Sequence, residues 1–175
     1  MATNFPSEDM AKNTVKIWSI MKSVGVAMMS VGNPHSDDAA AGVNSRPMRA
    51  RFEDKSDVVW FIVPRSIFSS WAEGHQTLLT FSGGSHGDHV ALQGEISEVE
   101  DRAKLKALWD GHADIMFPRG ASDPEATLLC FKPSKATFWA GGSDIVSYVV
   151  NFLEAQVTGE APTVGVHATV PPVAA

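Results

Sequence analysis

Cysteine occurs once in the 175 residues, as Cys130, so no intramolecular disulfide can form and a reducing cytoplasm suits the chain. Long apolar runs are also missing: none approaches the roughly 20 residues that a membrane-spanning helix needs. The opening residues, MATNFPSEDM, carry no basic region leading into an apolar stretch, so no signal peptide is expected. Positive charge is scarce, with 14 Lys and Arg against 20 Asp and Glu and a net charge of −6. Binding along a phosphate backbone needs a broad basic surface, which argues against nucleic acid as the main partner. Metal ligation has little to draw on. His86, Asp88 and His89 share one turn, without helical His-x-x-x-His spacing or a nearby cysteine, and no metal site is expected. There is no Gly-x-Ser-x-Gly nucleophile turn and no internal repeat.

What is present is the make-up of one folded, cytosolic domain: 44% hydrophobic and 19% charged residues in a length that supports a real core. Ser7 caps a predicted helix over 7–23, with Met10, Thr14, Ile17, Trp18 and Met21 at helical spacing, and Gly25 breaks it. Residues 26–31 read as a short buried strand and 32–44 as a polar loop. Strand-like runs follow at 46–52, 58–63 and 76–81, with a short helix predicted over 66–73. In 90–99, Val90, Leu92, Gly94 and Ile96 share one face, and the period of two marks a half-buried antiparallel strand. Asp101 opens a helix carrying Leu105, Leu108 and Trp109 at i, i+3 and i+4. Residues 126–139 read as a strand interrupted by Pro133, and 144–157 as a last helix. The expected domain spans 1–157, and 158–175, rich in Pro, Ala and Val without periodicity, is expected as a C-terminal tail. About six strands with few, short helices predict a mainly β fold, a small antiparallel barrel with peripheral helices.

The segment NSRPMRARF at 44–52 holds three of the six arginines of an acidic chain. Alternation puts Arg46, Met48, Ala50 and Phe52 on one side, and Pro47, Arg49 and Arg51 on the other. Arg49 and Arg51 then oppose the apolar face and are expected to meet solvent or the carboxylates of Glu53 and Asp54. Arg46 lies on the apolar face at the strand's mouth, where a guanidinium needs a partner. A phosphate would satisfy it through paired, charge-assisted hydrogen bonds; a carboxylate or an extended reach to water are the alternatives. Arg65 and Ser66 stand at a strand-to-helix turn, which either seats a phosphate with help from Ser69 or is simply capped by Ser66. Cys130, among apolar neighbours, reads as an inert core thiol. Five tryptophans (18, 60, 71, 109 and 139) serve as core; Trp109 and Trp139, before glycine-containing loops, could also stack on a planar cofactor.

These pieces together resemble the split-barrel flavin-binding proteins related to pyridoxamine 5′-phosphate oxidase, and among them the general stress protein subfamily. The resemblance is carried in order by SRPM at 45–48, VVWFIV at 58–63, VALQGEISEVEDRAKLKALW at 90–109, MFPRGASDPEATLLCFKP at 116–133 and ATFWAGG at 136–142. It implies a six-stranded antiparallel Greek-key split β-barrel that forms a homodimer and binds FMN in clefts at the subunit interface. Arg46, Pro47 and Met48 would line the phosphate and ring side. Trp60, Phe61, Ile62 and Val63 would pass backbone groups along the flavin edge, and Arg65, Ser66 and Ser69 would hold the phosphate. Trp139 would border the flavin from the partner chain, and His89 falls where relatives carry a polar flavin contact.

Two departures bear on function. Relatives usually place a phosphate-neutralising lysine near Phe68 or Ser69, and this chain has none there. The true oxidases follow Phe-Trp-x-Gly with an Arg-Leu-His type segment that grips pyridoxal phosphate, whereas Ser143-Asp144-Ile145-Val146 stands here. The resemblance therefore implies an FMN-dependent oxidoreductase acting on an unidentified small molecule, not a genuine pyridoxamine phosphate oxidase. The alternatives are a non-enzymatic flavin-binding stress protein, or a split barrel that uses haem or a deazaflavin or has lost its cofactor. No acid–base residue is singled out.

Overall fold

The computed structural model describes residues 7–31, 44–54, 56–68, 76–83, 87–140 and 166–170. Helix α1 (Ser7–Val24) sets Ile17 and Met21 of the predicted stripe into the core together with Ile20, which the stripe does not include, while Thr14 and Trp18 are half-buried. It ends where Gly25, at φ +70°, takes the left-handed conformation and donates its N–H to the Met21 carbonyl at 2.9 Å. The chain then runs through β1 (Val26–Val31), β2 (Asn44–Arg49), β3 (Val59–Pro64), the single turn α2 (Arg65–Phe68), β4 (Gln76–Gly83) and β5 (Asp88–Val99). After it come the short helices α3 (Arg102–Ala107) and α4 (Gly111–Met116), the long strand β6 (Ala126–Ala140) and β7 (Val166–Val170).

The sheet order is β2–β1–β4–β5–β6–β3, every pairing antiparallel, with β7 added to β6. Its two ends, β2 and β3, curl toward each other and touch at one bridge. Arg51 and Trp60 exchange backbone hydrogen bonds of 2.9 and 3.0 Å. The result is a six-stranded antiparallel barrel, nearly closed, with peripheral helices, as expected for a split barrel. In β5, Val90, Leu92, Gly94 and Ile96 are buried while Gln93, Glu95 and Ser97 are exposed, so the period of two holds.

The run VWFIV is buried on both faces, which is why it lacks alternation. Val59, Phe61 and Val63 point into the barrel with Met29, Met48, Leu79 and Phe131. Trp60 and Ile62 point outward, into a second cluster with Leu105, Ala113, Phe117 and Leu128 beneath α3 and α4. Asp101 caps α3 by accepting the Lys104 N–H at 2.8 Å, as the sequence predicts.

Three features differ from expectation. Pro133 does not interrupt β6. The β5–β6 register slips between Gln93 and Gly94, leaving Ser134 without an opposite residue, and its hydroxyl donates to the Gln93 carbonyl at 3.2 Å. A proline without an N–H fits at such a bulge. Second, α4 follows Trp109 directly, although no helix is predicted there. Third, the segment expected as a tail supplies β7. Its alternating VHATV pattern suits a strand, and β3 covers only the first half of that β6 edge, residues 126–131, leaving 136–140 for β7. The predicted helix over 144–157 lies outside the described residues, as do 69–75 of the predicted helix over 66–73 and most of the 32–44 loop.

Candidate functional site

Apart from the Arg51–Trp60 bridge, the facing edges of β2 and β3 have no strand partner among the described residues. A pocket of about 150 Å³ occupies this seam. Arg46, Pro47 and Met48 line it from β2, and Phe61, Ile62 and Val63 from β3. Six of the residues expected to bind a cofactor are thereby brought together, three from each strand. Met48 is buried, Arg46 half-buried and Pro47 exposed, so the pocket grades from core to surface.

The same pocket contains residues that sequence reasoning passed over. Arg49 and Arg51 line it, as do Ile67 of α2 and His112 and Met116 of α4. Alternation correctly puts Arg49 and Arg51 opposite the barrel core, but their side is not simply wet. Arg51 is only 7% exposed, because α4 covers the outer face at this point. Nor do these arginines meet Glu53 and Asp54, which pair instead with Lys104 at 2.7 Å and Lys22 at 3.5 Å. Their partner is Asp110, 3.2 Å from Arg49 Nε and 2.8 Å from Arg51 Nη2.

Asp110 has a third task. Its Oδ1 accepts the Ala113 N–H at 2.9 Å and so caps α4. Burial works to raise its pKa, but the Ala113 N–H and the two guanidinium groups outweigh this and hold the carboxyl at about 2. An aspartate directly before a helical turn is the one sequence signal that could have disclosed α4.

Other expected site residues lie elsewhere. Trp60 faces the outer cluster, with Lys104 Nζ 5.5 Å from its ring centroid, and its buried Nε1 has no hydrogen-bond partner among the described residues. Arg65 lines a separate cavity of about 320 Å³ with Glu98, Arg102 and Thr127, and its Nη1 sits 2.7 Å from Glu98 Oε1. The Arg65 N–H, at the strand-to-helix turn read as a phosphate seat, already donates to the Glu125 carbonyl at 2.8 Å. Ser66 is exposed, and Ser69 lies outside the described residues. His89 and Trp139 are direct register partners across β5 and β6, both exposed, and neither lines the seam pocket. Trp109 donates its Nε1–H to Asp114 at 2.7 Å and packs on Phe117, a structural role. Cys130 is half-buried, and burial, with Asp57 nearby, pushes its thiol pKa up.

Solved structures share this architecture. One from Jannaschia sp. CCS1, named for general stress protein 26, is 23% identical over 92% of this chain and 99% of its own, with a TM-score of 0.71. The general stress FMN/FAD binding protein of Xanthomonas citri is 25% identical over 74% of this chain and 89% of its own, with a TM-score of 0.62. The FAD binding protein of Mycobacterium smegmatis is 16% identical over 72% and 93%, with a TM-score of 0.52. No curated protein matches the chain. The family model described as pyridoxamine 5′-phosphate oxidase like matches residues 12–163, nearly the whole chain, and the protein belongs to that family.

Proposed function

We propose that the protein binds FMN in the β2–β3 seam, works as a cytoplasmic homodimer, and passes electrons to or from a small molecule. The observation that carries this reading is the seam pocket, which joins Arg46, Pro47 and Met48 to Phe61, Ile62 and Val63. The Xanthomonas citri relative, described as FMN/FAD binding, adds support. The residues present fit a flavin phosphate and ring edge. Arg46 offers a planar fork of donors for a phosphate, and the pocket-side edge of β3 offers backbone N–H and C=O groups to ring heteroatoms. Met48, Ile62 and Val63 supply an apolar wall that excludes water. FMN would bring the redox chemistry, and the protein the binding, orientation and electrostatics.

A homodimer is supported by size and surface. About 150 Å³ in one chain is well below the roughly 300–1,000 Å³ of a complete small-ligand site, so a second chain is needed to finish the cleft. Exposed Val26, Met28 and Leu78 on the outer faces of β1 and β4, and Trp139 at 43% exposure, supply apolar surface for such a partner. In this arrangement His89 and Trp139 act on the flavin bound by the other copy. Arg65 reaches a phosphate only by releasing Glu98.

The test is the visible spectrum of the purified protein with and without added FMN, read beside its mass in solution. Flavin absorption with a dimeric mass is expected. Colourless protein that takes up no FMN overturns the reading, and a monomer that binds FMN tightly overturns the shared cleft. Reduction of bound flavin by NADH or NADPH faster than free FMN separates an oxidoreductase from a flavin-binding protein without turnover.

A further inference from the structure

We propose that the cavity beyond the β3–α2 turn, walled by Glu98, Glu100, Asp101, Arg102, Leu105 and Thr127, seats a nucleoside monophosphate: the adenylate end of an FAD whose flavin half lies in the seam. The choice of occupant rests on the flavin reading, whereas the chemistry of the cavity stands apart from it. At about 320 Å³ the cavity by itself reaches the range of small-ligand sites, roughly 300–1,000 Å³, which the seam pocket does not.

The two spaces adjoin at the end of the seam where a phosphate is proposed. Antiparallel order, continued from the Arg51–Trp60 bridge, sets Arg46 opposite Arg65. Pro64 lines the seam pocket, and Arg65, the next residue, lines the cavity. Val63 and Pro64 of the seam also stand in register with Thr127 and Ala126 of the cavity, on strands about 5 Å apart. A phosphate held by Arg46 is thus at the threshold of the cavity, and a group attached to it enters there.

The lining suits a nucleotide better than a simple ion. Glu98, Glu100 and Asp101 repel a free anion, and Arg65 and Arg102 repel a free cation. A ribonucleotide carries both complements, a phosphate for a guanidinium and ribose hydroxyls for carboxylates. Arg65 is paired with Glu98 at 2.7 Å, but Arg102 forms no salt bridge among the described residues. Its Nη1 donates to the backbone carbonyls of Asp123 and Ala126 at 3.1 and 3.0 Å, which braces the guanidinium at the wall and leaves Nε and Nη2 to a ligand. The exposed Glu100 carboxylate, and Oδ2 of Asp101 beside the Oδ1 that accepts the Lys104 N–H, face hydroxyls. Val99, Leu105 and Leu128 add an apolar wall for the base.

Calorimetric titration of the full-length protein with FMN, FAD and AMP tests the proposal. FAD is expected to bind about tenfold or more tighter than FMN, and Arg102→Ala and Glu100→Ala should each weaken FAD about tenfold, the loss typical of one charge-assisted hydrogen bond. FMN affinity should stay unchanged in both variants, which also shows that they are folded. Arg102 braces the start of β6, so Glu100→Ala, at an exposed side chain, carries the test if Arg102→Ala does not fold. AMP should bind together with FMN and compete with FAD. Equal affinities for FAD and FMN overturn the proposal, as does an FAD advantage that survives both substitutions, or AMP that binds alongside FAD. Protein that takes up neither flavin overturns the flavin reading, and AMP then judges the cavity alone. Saturable AMP binding weakened by Glu100→Ala upholds the nucleotide seat with a free nucleotide as its occupant, and no AMP binding overturns it.

Discussion

Arg51 Nη2 lies 2.8 Å from Oδ1 of Asp110, and this contact ties the strand that closes the barrel to the first turn of α4. The carboxylate acts twice, as counter-ion and as cap, and two substitutions separate the roles. Asp110→Asn keeps a good helix cap but removes the charge facing two arginines. Stripping one partner from a fully buried pair costs about 3–5 kcal/mol. Asp110 is 33% exposed, so a smaller loss of about 1–2 kcal/mol is expected for Asp110→Asn. Asp110→Ala should lose about 1 kcal/mol more, the worth of the cap. Urea unfolding at neutral pH gives both values, and identical midpoints for the two variants would show that the cap contributes nothing.

The same carboxylate sets an acid limb of stability. Its folded pKa is about 2 against an ordinary 3.8, so the unfolded chain takes up the proton first as pH falls. The stabilisation is complete above pH 4 and is lost as pH drops toward 2. Asp123 acts in the same direction: the Glu125 N–H and the Arg119 guanidinium, against the opposing effect of burial, keep its carboxyl below the usual range. Wild type should therefore lose melting temperature steeply between pH 4 and pH 2. Asp110→Asn should show a shallower slope over that interval, starting from a lower value. Parallel curves would mean that Asp110 is not held in its charged form by the fold.

Much of this was readable in the chain because it is local. The alternation in 90–99 and the helix opened by Asp101 each depend on neighbours a few residues away, and each is found as read. The arginine strand shows where local reading ends. Its parity is right, yet whether the far face meets water depends on α4, which arrives about 60 residues later. Arg65 teaches the same lesson. A strand-to-helix turn looks like a phosphate seat from its own residues, but Glu98 and Glu125 come from other parts of the barrel to engage it. Tertiary neighbours, not propensity, decide the state of these charges.

Gly94 is fixed by close approach and not by turn geometry. A Cβ at this position would run into the Lys132 carbonyl and the Phe131 ring, both in the facing strand next to the register slip. Backbone cannot yield as a side-chain tip can, so Gly94→Ala must push β5 and β6 apart. A loss of about 1–3 kcal/mol is expected, the cost of overpacking a tight core. Gly111→Ala, where an added Cβ meets nothing, is the matched control and should change stability little. Thermal unfolding of the pair gives the comparison, and equal melting temperatures would show that the strands can separate there without loss.

Arg46 and Arg65 make the sharpest comparison for the proposed cofactor. Arg46 lines the seam pocket, whereas Arg65 is held by Glu98 at 2.7 Å across a different cavity. A phosphate that recruits Arg65 must first take it from a carboxylate, and that exchange returns little net free energy. Arg46→Ala should therefore weaken FMN about tenfold or more, the scale of a lost charge-assisted pair, while Arg65→Ala weakens it by about threefold at most. Riboflavin, which has no phosphate, should bind both variants alike. Fluorescence quenching of the two flavins measures all of these affinities. If Arg65→Ala proves the more damaging, Arg65 must leave Glu98 on binding, and Glu98→Gln, which frees the guanidinium beforehand, should then tighten FMN.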